Sequence, residues 1–174
     1  STANDNSAFG HKALWMNTTG TGNVGVGNSA LSASTTGGYN TAVGYHALEA
    51  NTTGNTNTAV GNSALDSCTT GSNNTAIGND SLVNLTTGNA ATCVGRYAGK
   101  DNTASSVTYI GTNCFYQSTT PANNVAMGYD AGYNNTTGNY NTIIGKEAFF
   151  TNTTNSECTA IGYQALYTSN VAGN

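Results

Sequence analysis

"NTAVGYHALEANTTG" (residues 40–54) is followed by "NTAVGNSALDSCTTG" (57–71) and "NTAIGNDSLVNLTTG" (74–88), and the three copies start 17 residues apart. Working outward with the glycine after the aliphatic residue as position zero, the same register holds along the whole chain. Its anchors are Gly10, Gly27, Gly44, Gly61, Gly78, Gly95, Gly111, Gly128, Gly145 and Gly162. Every spacing is 17 except one of 16, between Gly95 and Gly111. Ten copies and the leader "STAND" account for residues 1–174, so the chain reads as a single repeat array. Periodicity of this length means stacking of like units.

The columns assign each position a task. Position −1 is apolar throughout: Phe9, Val26, Val43, Val60, Ile77, Val94, Ile110, Met127, Ile144 and Ile161. It is expected to be core. Position +3 is small throughout, with Ala13, Ala30 and Ala47 typical and Ser81 and Cys114 as the variants. Position −2 is alanine in six copies, and position +4 is Leu or Phe in all but two. Each copy therefore offers a short β-branched strand, a glycine where the backbone bends, a second apolar step at "AL" and a polar "TTG" return. Four apolar positions in 17 residues cannot make a core alone. Laid beside identical neighbours at about 4.8 Å they can. The expected fold is all-β: a parallel β-roll or β-helix, a solenoid of ten 17-residue rungs about 48 Å long, each rung made of two short strands and two turns. A strand followed by one helical turn is the competing repeat, because −1, +3 and +4 also share a helix face. Flanking Asn, Thr and Gly are poor helix formers and count against it.

Composition excludes several classes of function. Charged residues make up 7% of the chain and its net charge is −4, which leaves no basic footprint for nucleic acid. The apolar runs are only a few residues long, so neither membrane insertion by this segment nor a signal peptide within it is expected. With no initiator methionine, and with its limits at repeat boundaries, the chain is expected to be a piece of a longer protein.

The recurring "NTAVG" or "NTAIG" with an alanine three residues later resembles the head repeats of YadA-like trimeric autotransporter adhesins and the β-roll repeats of phage tail fibres. The resemblance covers all ten copies. It implies a left-handed roll in each chain, three chains packed side by side with aliphatic strand residues between them, and a place on a cell or virion surface. The repeat here is several residues longer than the family's, the additional segment being "TTG".

Candidate sites follow from the same columns. Catalysis requires an acid, base or nucleophile gathered in a cleft, and a regular solenoid gathers none, so no enzyme activity is expected. His11 and His46 read as solvated surface residues. Two carboxylate pairs share a column in adjacent rungs, Glu49 with Asp66 and Asp130 with Glu147. At about 5 Å like charges repel, and a proton or a cation is favoured. Calcium is the one cofactor this spacing suggests, and side chains simply facing water are the alternative. The cysteines lack any CxxC spacing, so a zinc site is not expected. Cys93 and Cys114 replace small core residues in neighbouring rungs and are candidates either for a disulfide or for two buried thiols. Four sequons share one column, at Asn17, Asn51, Asn135 and Asn152, and three more fall at Asn73, Asn79 and Asn84. Position +5 becomes aromatic in four consecutive rungs, Tyr116, Tyr133, Phe150 and Tyr167. That stripe suits a sugar-stacking platform or a subunit contact, or packing of the rings on one another. The asparagine at −4 and the threonine at +8 form ladders that suit hydrogen bonding along the axis.

These readings converge on an extracellular structural and adhesive rod that binds a host-surface protein or carbohydrate and assembles with itself as a homotrimer, with recognition at the variable positions +1, +2 and +5. A filament subunit stacking head to tail is the first alternative, since exposed strand edges recruit further copies. An ice-binding solenoid with a threonine face is the second.

Overall fold

The computed structural model describes residues 3–168. It is an all-β solenoid with one three-residue strand per rung: β1 (Ser7–Phe9), β2 (Val24–Val26), β3 (Thr41–Val43), β4 (Thr58–Val60), β5 (Thr75–Ile77), β6 (Thr92–Val94), β7 (Thr108–Ile110), β8 (Val125–Met127), β9 (Thr142–Ile144) and β10 (Thr159–Ile161). The strands form one parallel sheet in sequential order, β1 to β10, with like positions paired, such as Thr41 to Thr58 and Val43 to Val60. The repeat register seen in the sequence is the sheet register.

The expected second strand is absent. In its place the "AL" segment runs through successive turns in which positions +2 and +4 are left-handed, as at His46 (φ 55°), Leu48 (φ 52°), Ser63 (φ 49°) and Leu65 (φ 53°). A leucine in that region costs about 1–2 kcal/mol. Full burial of its side chain recovers about 1.5–3 kcal/mol, and the Leu48 amide is bonded to the Ala64 carbonyl of the next rung at 2.9 Å. The corner is therefore hydrogen-bonded between rungs without being a β-ladder.

A second correction concerns the core. Side chains alternate along a strand, and here the inward residue is position −2: Ala42, Ala59, Ala76, Cys93, Tyr109, Ala126, Ile143 and Ala160 are all buried. They pack on the +3 alanines and +4 leucines, for example Ala47, Leu48, Ala64 and Leu65. The position −1 column points the other way. Phe9 is 76% exposed, Ile77 40%, Met127 48%, Ile144 38% and Ile161 65%, and the remaining five members are half-buried.

Position −4 shares the inward face with −2 and carries a buried asparagine ladder. Each Oδ1 accepts the backbone amide of the −4 residue in the next rung, as from Asn57 to Asn40 (2.9 Å) and from Asn74 to Asn57 (2.9 Å). Nδ2 donates to the carbonyl that closes the polar return, a glycine as from Asn40 to Gly54 (2.9 Å) and from Asn57 to Gly71 (2.8 Å), and Asn155 for Asn141 (2.9 Å). The anchor glycines stack on one another. A Cβ on Gly78 would lie 2.5 Å from the Gly95 carbonyl oxygen, and its φ of 136° is closed to ordinary side chains.

The 16-residue rung repacks the interior. Ala91 and Val107 interrupt the asparagine ladder, which resumes at Asn124 and Asn141. Tyr109 stands where other rungs hold alanine and stacks on Phe115 with ring centroids 4.2 Å apart. Room for the pair comes from Gly99 and Gly132, which replace leucine at +4. A Cβ on Gly99 would lie 3.2 Å from the Tyr109 ring, and one on Gly132 would overlap Phe115. Large rings at 109 and 115 are thus matched by missing side chains at 99 and 132.

Candidate interaction face

The outward face of the sheet is built from positions −3 and −1, which lie on the same side of each strand. Position −3 is threonine in β3 to β7, β9 and β10, and position −1 is aliphatic from β2 to β10 apart from Met127. The result is a hydroxyl file beside an aliphatic file, each repeated at the strand spacing of about 4.8 Å. Next to them, at +1, Tyr45, Tyr129 and Tyr163 are 53%, 49% and 67% exposed. Lys146 Nζ lies 5.8 Å from the ring centroids of both Tyr129 and Tyr163. A contiguous apolar strip of this kind is often functional.

The aromatic stripe at +5 is a self-stacked column. Ring centroids are 5.1 Å apart from Tyr116 to Tyr133, 5.2 Å from Tyr133 to Phe150 and 5.2 Å from Phe150 to Tyr167. Tyr97 meets Tyr116 edge-on at 5.6 Å, and Lys100 Nζ sits 4.7 Å from the Tyr116 centroid. The ring faces that a sugar would stack on are occupied by neighbouring rings. Packing of aromatics on each other accounts for the stripe.

The sequon column is not a row of glycan acceptors. Asn51, Asn135 and Asn152 are buried, and Asn17 is half-buried. Their amides are engaged in the fold: Asn17 Nδ2 donates to the Gly20 carbonyl (3.0 Å) while its Oδ1 accepts the Gly20 amide (3.0 Å), Asn135 does the same with Gly138 (3.2 and 2.8 Å), Asn51 Nδ2 donates to the Gly54 carbonyl (3.1 Å) and Asn152 Nδ2 to the Leu166 carbonyl (2.8 Å). A substituted amide nitrogen cannot occupy that position. Asn73 and Asn84 are exposed and Asn79 is half-buried.

The threonines at +8 turn along the axis, with Thr18 Oγ1 bonded to the Thr35 carbonyl (2.9 Å) and Thr52 Oγ1 to that of Thr69 (3.1 Å). They brace the turn and offer no free hydroxyl plane. The candidate disulfide is not formed: Cys93 and Cys114 are free, buried thiols, as are Cys68 and Cys158. Burial pushes the Cys68 thiol up to about 11 and that of Cys93 well above its ordinary value, so these groups stay protonated and behave as small apolar residues.

The two carboxylate pairs differ. Asp130 accepts from Asn113 Nδ2 at 2.9 Å, and Glu147 accepts from Gln164 (2.8 Å) and Lys146 (3.2 Å). Glu49 is joined instead by His46, with Nδ1 to Oε2 at 2.7 Å. Burial first, and then the neighbouring Glu49, raise the pKa of Asp66. His46 was readable only as a surface histidine, because its left-handed backbone, which turns it toward Glu49, leaves no mark in composition or spacing. Among the described residues no helix is long and apolar enough to cross a membrane. Compared with known proteins, the chain matches no family model, no curated sequence and no solved structure.

Proposed function

We propose that this chain is a rod-forming segment of an extracellular adhesin or fibre, in which copies pack side by side through the outward sheet face. The observation that carries the reading is the exposed position −1 column. Threonine, lysine and asparagine are all available to this composition, yet nearly every rung puts an aliphatic side chain outside. Covering that column removes apolar area at about 25 cal/mol per Å², and a stable contact needs about 800 Å² from each partner. A three-chain bundle is the arrangement implied by the resemblance of the repeat to adhesin heads. Recognition of host protein or carbohydrate then falls to the exposed +1 and +2 positions, because the +5 aromatics are occupied with each other.

The test is the mass of the soluble chain by sedimentation equilibrium, alone and with Val60→Lys and Ile77→Lys combined. Three chains in the parent and one in the variant, with unchanged circular dichroism, is the expected outcome. A parent chain that stays monomeric at the highest concentration reached would sink the proposal.

One observation favours ice binding as a second reading: the file of −3 threonines beside aliphatic −1 residues is a regular hydroxyl and methyl array on the outward sheet. A monomer with thermal hysteresis that Thr75→Lys abolishes would select it.

A further inference from the structure

We propose that His46, Glu49 and Asp66 form a binding site for a divalent transition-metal ion of the zinc type. The three residues come from two adjacent rungs, His46 and Glu49 from positions +2 and +5 of one and Asp66 from +5 of the next. One ligand atom from each lies within 4.8 Å of the other two. Tetrahedral bonds of about 2.1 Å place ligand atoms about 3.4 Å apart.

Two neighbours hold the ligands in place. The Tyr45 ring stacks on the His46 imidazole with centroids 3.9 Å apart and planes 17° from parallel. Ser32 Oγ donates to Glu49 Oε1 at 3.4 Å, leaving Oε2 turned toward His46. The charge at the site is answered by His46 alone. No lysine or arginine among the described residues pairs with Glu49 or Asp66, and His46 is the only basic side chain set against their charge. The second carboxylate pair is the internal control. Asp130 and Glu147 occupy an equivalent vertical arrangement, but Asn113, Gln164 and Lys146 already hydrogen-bond their oxygens, and no histidine joins them there.

The donor set selects the ion. Calcium takes six to eight oxygen ligands, whereas one imidazole and two carboxylates suit zinc and its neighbours, with water completing the shell. On binding, His46 presents a ring-nitrogen lone pair to the metal and any proton on that nitrogen passes to the other ring nitrogen or to water. No change of oxidation state is involved.

Zinc chloride titrated into the full chain near neutral pH, in a buffer that does not chelate, is the deciding experiment. The expected result is one ion bound per chain, with affinity reduced about tenfold or more by His46→Gln and by Asp66→Asn, and unchanged by Asp130→Asn. Circular dichroism of each variant establishes that the solenoid is retained. Cobalt in place of zinc gives a visible absorption band that disappears in His46→Gln. Absence of saturable uptake, or uptake that survives His46→Gln, overturns the proposal, and neither result bears on side-by-side assembly.

Discussion

Replacing Asn57 by alanine removes one rung of the buried asparagine ladder and measures what the ladder contributes. Asn57 is 1% exposed, donates from Nδ2 to the Gly71 carbonyl at 2.8 Å and accepts the Asn74 amide on Oδ1 at 2.9 Å. Its own amide keeps its bond to Asn40 Oδ1. Alanine therefore strands one buried donor and one buried acceptor, for which the only other partner is a long contact from the Cys68 thiol to Gly71 at 3.7 Å. Each stranded group costs about 1–3 kcal/mol, so the expected loss is about 2–6 kcal/mol against a typical total of about 5–15 kcal/mol. Urea unfolding followed by circular dichroism measures it. Hydrogen exchange should place the loss at the Asn74 amide and its neighbours, because a solenoid couples mainly nearest rungs. Asn57→Asp sharpens the test: it keeps the acceptor for Asn74 but sets a carboxylate oxygen against the Gly71 carbonyl. That contact and burial raise its folded pKa. The raised value means stability is retained below the unfolded value of about 3.9 and lost as pH rises through the folded one. If Asn57→Ala costs no more than exposed Asn73→Ala, the ladder is not what holds the rungs together.

Other expectations are more local. Gly78→Ala forces a Cβ to within 2.5 Å of the Gly95 oxygen at a φ of 136°, and should leave the chain unfolded or in inclusion bodies, where Ser72→Ala has no such effect. Tyr133→Ala removes two stacked contacts, with Tyr116 and Phe150, and should lower stability by about 1–3 kcal/mol in thermal melts. In a glycosylating host, mass spectrometry should find glycans at Asn73 or Asn84 and none at Asn51, Asn135 or Asn152 of the folded protein. Because the carboxyl of Asp66 is shifted upward by burial and by Glu49, folding is favoured below its unfolded pKa and penalised as pH rises through the folded one. Asp66→Asn should therefore raise the melting temperature at neutral pH, by less than about 1 kcal/mol for a half-exposed group, and give no gain near pH 3.

The register, the parallel pairing and the small-residue core at +3 were legible because a strict spacing leaves a stacked chain few alternatives. The direction of the strand was misread. Apolarity at −1 suggested the interior, yet −1 and −3 share a face, and threonine at −3 already marked that face as outside. Asparagine at −4, on the same side as −2, marked the inside only if its amide could be satisfied, which depends on carbonyls of the next coil. The left-handed corners escaped for a different reason. Leucine has no propensity for positive φ, and Leu48 and Leu65 adopt it because burial and inter-rung bonds outweigh a local penalty. Interactions between copies decide the matter there, and they are not properties of any one copy. The loop clasps at Asn17 and Asn135 read as sequons because the same two residue types serve tight turns and glycan acceptors.

In this sheet each strand touches only the strands one copy before and one copy after it. A duplicated copy inserted in frame would meet donors, acceptors and stacked glycines already matched to its own. Reach then becomes a matter of counting, adjustable by gene duplication in steps of about 4.8 Å. The outward residues of each copy remain free to diverge, so span and surface chemistry can evolve as independent variables.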